Sequence, residues 1–374
     1  MIAAHCRAMF LACALAPMTV AGAPTVGDEA AESRRLAFLR DAERSLASGA
    51  VERANTALDA AAEMAHSADT ELLQVRALLQ AGHYRQAASL AAHADGDHRD
   101  DPTAAALYAW LLAIGGQEQI GRRRLDEALA GAGTDPIALA VQRLFAEPGA
   151  GMPPSLMQPP HRFAPYAVME AGVSPPSSAV VAALGVLWEQ GSFALVPVDA
   201  VQQASHLWVR NGLGQTVPAR GKRALPGLPL ILLELSTPLP DGDASPVLTD
   251  PLAGSPACAA AYPTVADAAP AWPSLHHGFF GGVTLSSNER RLGIALPPGP
   301  RGGPVFDKAG HLAGVAIAQD AGGDMLVTIP QIRAALGATP VAAPSSLPQS
   351  NAMASFDEEY ERAMRVALQV IVER

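Results

Sequence analysis

Gly299-Pro300-Arg301-Gly302-Gly303-Pro304-Val305-Phe306-Asp307-Lys308-Ala309-Gly310-His311-Leu312-Ala313-Gly314-Val315 opens with glycine or proline at five of its first six positions. Such a run continues neither a helix nor a regular strand, and by itself it describes a tight loop. After it comes a short strand-like piece, a turn around Lys308 to Gly310, and a second strand-like run from His311 to Ala318. Working outward, similar runs recur at Val180 to Trp188, Ser192 to Val198, Ser205 to Arg210, Leu228 to Leu235 and Gly281 to Leu285. Turn pairs such as Asn211-Gly212 and Asp241-Gly242 separate them. Short strands at such spacing predict an all-β barrel or sandwich.

The quoted loop and hairpin resemble the nucleophile loop of trypsin-like serine proteases, especially the HtrA/Deg branch, where Gly-x-Ser-Gly-Gly-Pro stands at this place. Other pieces with the same resemblance follow in family order. Gly191 to Val196 is similar to the strand before the catalytic His, and Val198 to Arg210 with Gly214 to Arg220 to the strand pair after it. Leu228 to Leu233 is similar to the strand that carries the Asp, and Asp250 to Pro263 to the segment before the interdomain turn. Met325 to Leu336 is similar to the closing strand and helix. The resemblance implies a double β-barrel over residues 177–340.

It also implies a lost active site. Acyl transfer needs a hydroxyl nucleophile, an imidazole base and a carboxylate that fixes its tautomer. Carried onto this chain, the family's positions fall on Asp199 for the His, Pro229 for the Asp and Arg301 for the Ser. Proline has no side-chain acceptor, and a guanidinium is permanently charged and not nucleophilic. No catalytic residue is therefore expected at those three positions. The loop Gly299, Arg301, Gly302 and Gly303, an oxyanion hole in active relatives, is expected either to persist as an anion-binding nest or to be closed by an Asp199–Arg301 salt bridge. A rebuilt hydrolytic site using His276-His277 with Ser286 or Ser287 is the alternative.

Residues 24–147 read differently. They are rich in Ala, Leu, Glu, Arg and Gln and nearly free of proline, as helices require. Gly49-Ala-Val-Glu-Arg-Ala54 recurs as Gly82-His-Tyr84-Arg-Gln-Ala87 after 33 residues, with an echo from Gly116 a further 34 on. This resembles the tetratricopeptide repeat, in which a glycine opens the turn and a small residue after it lets paired helices close up. The third copy departs, with Ile120-Gly121 where Ala is expected. A plain Ala-rich bundle is the other reading. Stacked helix pairs imply a protein or peptide partner. His93-Ala-Asp-Gly-Asp97-His98-Arg-Asp-Asp101 fits no calcium loop and is expected to be a solvated inter-repeat loop, so no metal set is assigned.

The fold class expected is thus multidomain α and β: an all-α helical repeat followed by an all-β double barrel of the trypsin-like type. Residues 1–23 read as a signal peptide, with Arg7, an apolar run from Ala8 to Val20 and cleavage near Ala23, although Leu11-Ala12-Cys13 permits a lipoprotein signal. A proline-rich linker covers 148–176 and a second linker 341–355. Residues 356–374 are expected to form an amphipathic helix behind a Ser355-Phe-Asp-Glu358 capping box, docked on its own chain or on a partner.

Of the 374 residues, 49% are hydrophobic and 17% charged, which supports a packed core and excludes wholesale disorder. A net charge of −10 argues against nucleic acid, and no transmembrane segment or cofactor is expected. Cys258, with apolar neighbours, is expected to be buried. The function expected is an exported pseudoprotease of the periplasm or cell exterior, acting as a protein-binding scaffold. The alternatives are an active protease with a relocated site and a purely structural envelope protein.

Overall fold

A computed structural model describes residues 26–131, 134–147, 153–162, 174–240, 245–264, 267–284, 290–319, 323–337 and 353–373. The expected signal peptide, Ser286 and Ser287, and parts of both linkers lie outside these residues.

Among the described residues seven helices come first: α1 Val26–Ala47, α2 Val51–Ala62, α3 Ala68–Ala81, α4 Tyr84–Asp97, α5 Pro102–Ile114, α6 Glu118–Gly131 and α7 Pro136–Ala146. The first six form three hairpins, and each turn closes in the same way. Gly49, Gly82 and Gly116 have φ of 78°, 86° and 87°, a left-handed conformation in which a Cβ is strained. Their amides donate to Leu46, Leu79 and Ala113, and the following amides reach back to Ser45, Leu78 and Leu112. That pair of bonds is a Schellman stop, repeated three times. Asp101 and Asp135 cap α5 and α7 ahead of a proline in the first turn.

Ala54 and Ala87 are fully buried between their helices. At the third copy Gly121 packs so tightly that a Cβ would lie 2.4 Å from the Ala109 carbonyl oxygen. The departure from Ala is therefore a closer helix approach.

The β half contains two closed six-stranded barrels. The first is built from β1 Val180–Trp188, β2 Phe193–Pro197, β3 His206–Asn211, β4 Thr216–Ala224 and β5 Leu230–Leu235, and is completed by β12 Ala367–Glu373. The second uses β6 Pro256–Ala261, β7 Ser274–Val283, β8 Arg290–Gly293, β9 Pro304–Asp307, β10 Leu312–Ala318 and β11 Asp324–Thr328. A short α8, Val198–Val201, follows β2, and α9, Ile329–Ala335, follows β11.

The tail corrects the expectation of one helix over 356–374. Helix α10 spans Phe356–Val366 behind the capping box and then gives way to β12. Ala-Leu-Gln-Val-Ile-Val-Glu carries three successive β-branched residues and buries its first six, and the gap between β1 and β3 supplies both edges it needs. Leu368, Val370 and Val372 enter the first barrel's interior. Residues 177–340 alone would leave that barrel one strand short.

Helix α10 docks on its own chain. Tyr360, Ala363 and Met364 are fully buried, and the Tyr360 ring lies 4.3 Å from Tyr84 of the helical half. Arg85 pairs with Glu358 at 2.7 Å, and Arg365 reaches the Gly82 carbonyl. One continuous core runs from Leu79, Tyr84 and Trp110 to Leu184, Cys258 and Tyr360. The helical half is thereby fused to the barrels along its turn edge, with Gly82 against Leu213 and Gly116 against His277.

Candidate functional site: the cleft between the barrels

Three loops meet where the barrels join. Asp199 sits exposed on α8. The Val198 amide donates to the Pro229 carbonyl at 3.1 Å, which holds the start of α8 beside the residue preceding β5. From the second barrel the loop before β9 reaches across: the Leu184 amide donates to the Arg301 carbonyl at 2.8 Å. A Cβ on Gly302 would lie 2.0 Å from the Leu184 carbonyl oxygen and 2.7 Å from the Pro197 ring. Only glycine allows this approach, and its φ of 120° adds to the requirement. Pro197 stands two residues before Asp199, so the fold brings the loops carrying Asp199, Pro229 and Arg301 to one place.

Arg301 makes contacts the sequence did not reveal. Its Nε donates to Asp324 Oδ1 at 2.6 Å, and its Nη1 donates to the carbonyls of Pro297 at 2.8 Å and Gly299 at 3.0 Å. Both side chains of the ion pair are largely buried. The expected pairing with Asp199 is therefore corrected: the partner is Asp324, at the start of β11, on the same barrel and close to the loop. The Gly302 amide is also engaged, donating to Ala316 at 2.8 Å, and Gly303 accepts from the Ala316 amide at 2.9 Å. Gly299, at φ 141°, packs against Thr264, whose hydroxyl donates to the Pro298 carbonyl.

Two serine–histidine contacts occur among the described residues. Ser274 Oγ lies 2.9 Å from His276 Nε2 on strand β7. Burial drives the His276 imidazole down to about 4, with Glu118 opposing and His277 and Arg301 adding to the shift. Ser205 Oγ lies 3.3 Å from His206 Nδ1, and Glu373 faces that same nitrogen at 3.1 Å. A relay needs the acid and the hydroxyl on opposite ring nitrogens, so this second set is not a triad.

Cys258 is buried as expected. Burial pushes its thiol well up, and it shares a hydrogen bond with Glu359 of α10, whose carboxyl burial raises to about 7. A protonated, buried thiol is not an activated nucleophile. Asp324 and Glu359 carried no motif, because each matters only through a neighbour distant in sequence; Ser274 meets His276 two residues on, by the alternation of side chains along strand β7.

Two closed six-stranded barrels with the functional loops at their joint are the double-barrel architecture of the trypsin-like fold. No protein-family model and no curated protein sequence matches the chain. Among solved structures it is similar to the MamO protease domain from Magnetospirillum magneticum, at 17% identity and TM-score 0.33, over 41% of this chain and 87% of that one. It is also similar to the HtrA-type protease AlgW with decapeptide, at 19% identity and TM-score 0.32, over 41% of this chain and 49% of that one. Deg5 matches at 17% identity and TM-score 0.30, over 38% of this chain and 76% of that one. The chain thus spans about half the length of the AlgW chain. Among the described residues no helix is long and apolar enough to cross a membrane.

Proposed function

We propose that this chain is a non-catalytic member of the trypsin-like fold, exported to the bacterial envelope, where it acts as a protein-binding scaffold. The observation that carries this reading is that Arg301, which the sequence resemblance sets against the family's nucleophile, is tied to Asp324 and to two carbonyls of its own loop. A guanidinium held in that way offers no nucleophile, and Pro229 offers no side-chain acceptor to orient a base. Fusion of the helical repeat to the barrels through one core favours a rigid platform for a protein or peptide partner.

Incubation of the purified chain with a fluorophosphonate probe and with casein tests the claim. The expected result is neither stoichiometric labelling nor cleavage. Site-specific photo-crosslinking from the helical face in envelope preparations should then yield a discrete partner. A chain that crosslinks to nothing there is the purely structural protein.

One observation favours a second reading, an active hydrolase with a relocated site: the 2.9 Å contact between Ser274 and His276. Against it, a base held near 4 is a poor proton acceptor at neutral pH, and the two residues lie on a strand rather than at a nucleophile turn. Stoichiometric labelling that disappears in Ser274→Ala would establish that reading and overturn the first.

A further inference from the structure

At the end of the second hairpin away from Gly82, side chains converge that the cleft does not use. His66 precedes α3, Glu71 lies in its first turn, and His93 and Asp97 lie one turn apart at the end of α4, with His98 after it. Glu71 Oε1 faces His66 Nδ1 at 3.1 Å and His93 Nε2 at 3.5 Å. Glu71 Oε2 faces His98 Nε2 at 3.3 Å, and Asp97 Oδ2 faces His93 Nε2 at 3.5 Å and His66 Nε2 at 3.8 Å. One donor atom each from His66, Glu71 and His93 fits within 4.8 Å of the others.

Three features separate this cluster from an ordinary surface ion pair. First, Glu71 is nearly buried, and its Oε2 and the facing His98 Nε2 are both buried without a hydrogen-bond partner. Polar atoms in that condition are costly unless something else satisfies them. Second, the spacings from Glu71 are longer than charge-assisted hydrogen bonds. The two from Oε1, 3.1 Å to His66 Nδ1 and 3.5 Å to His93 Nε2, bracket the edge of a tetrahedron of donors around one zinc ion, about 3.3 Å for bonds near 2.0–2.1 Å. Third, Glu71 and Asp97 place two carboxylates at the cluster, which favours a cation, while the helix ends of α3 and α4 that meet there have opposite polarity and offset each other.

We propose that His66 Nδ1, Glu71 Oε1 and His93 Nε2 bind a divalent transition-metal ion, Zn²⁺ by the character of the donors. Imidazole and carboxylate without thiolate suit zinc, whereas calcium and magnesium take oxygen ligands. The fourth position falls to water or to Asp97. His98 is a positioning residue: as Oε1 takes the ion, His98 Nε2, unpartnered at 3.3 Å from Oε2, closes to donate to that oxygen, as the outer partners of metal-bound carboxylates do. His66 and His93 are about half exposed, at 59% and 51%, which leaves an entry path from solvent. Because His66 lies in the connection between the first and second hairpins, the ion would clip adjacent repeats together far from the barrels.

The test uses the full chain, tag-free and stripped with a chelator, titrated calorimetrically with Zn²⁺, with Co²⁺ as a spectroscopic stand-in. The expected result is one Zn²⁺ per chain, a rise in the thermal midpoint, and visible absorption typical of tetrahedral Co²⁺. The double variant His66→Ala/His93→Ala should lose all three while keeping the wild-type unfolding midpoint in chelator, since both side chains are half exposed. His98→Gln should weaken binding about 10- to 100-fold. Absence of stoichiometric binding, or equal binding by the double variant, overturns the proposal. A chain that is stabilised by acidification but takes up no Zn²⁺ holds an imidazolium–carboxylate cluster instead, which also overturns it.

Discussion

The barrel cleft and the open end of the second hairpin both gather charged side chains, and they treat them in opposite ways. In the cleft Arg301 finds Asp324 at 2.6 Å and two carbonyls at 2.8 and 3.0 Å, so its hydrogen-bonding capacity is largely spent inside the protein. At the hairpin end Glu71 and His98 face each other at 3.3 Å with buried atoms left unpartnered. The first is the signature of a locked structural element, the second of a place that something else completes. The residues that look like a protease are the satisfied ones, and those that look like a solvated loop are not.

The largest blow to this contrast comes from the cleft. Arg301→Ala should destabilise the chain by about 4 kcal/mol in urea unfolding, because it strands the carboxylate of Asp324. Replacing both partners, as Arg301→Met with Asp324→Leu, should recover most of the loss. A single variant with wild-type stability would show that the cleft is not locked.

Slightly smaller is the effect of pH at the seam between α10 and the second barrel. The Glu359 carboxyl is raised to about 7 from its ordinary 4.5 by burial, with Cys258 and Arg362 opposing and Asp307 adding to the rise. The folded state therefore holds a proton that the unfolded state has released between those values. Stability from this group is full below about pH 4.5 and declines as pH climbs to 7, by up to about 3 kcal/mol. His276, lowered to about 4, acts with the opposite sign between 4 and 6.5. The difference between wild type and Glu359→Gln across pH 4.5 to 7.5 isolates the first effect, and parallel curves would refute it.

Within the helical half, Gly121→Ala should cost about 2 kcal/mol, since the new Cβ meets the Ala109 carbonyl. Gly96→Ala, with open space around it, provides the control. The smallest expected effect is at Ser274→Ala, under about 1 kcal/mol in stability. Its value lies in the fluorophosphonate comparison, which must show no difference if the cleft is non-catalytic.

The repeat glycines, the capping box at Ser355 and the loop around Gly302 were legible in the chain because each is a local device. A left-handed glycine, a side chain reaching an amide two or three residues on, or a bulky residue forbidden by a tight turn is written within six or so neighbours. The boundary at Val366 was not legible. Phe356, Tyr360, Ala363 and Met364 set a helical period that Ala367 and Ile371 continue, yet the free edges of β1 and β3, some 160 to 190 residues upstream, draw 367–373 into a barrel.

The sequence by itself therefore determined the order of a helical half and a double barrel, and through its family resemblance singled out Asp199, Pro229 and Arg301 as the positions to inspect. Only the tertiary structure decided that Arg301 answers to Asp324, that the tail closes the first barrel, and that His66, Glu71 and His93 meet at a point. The reason is distance along the chain. Short-range conformational rules are encoded residue by residue, whereas a partner brought by packing has no local mark.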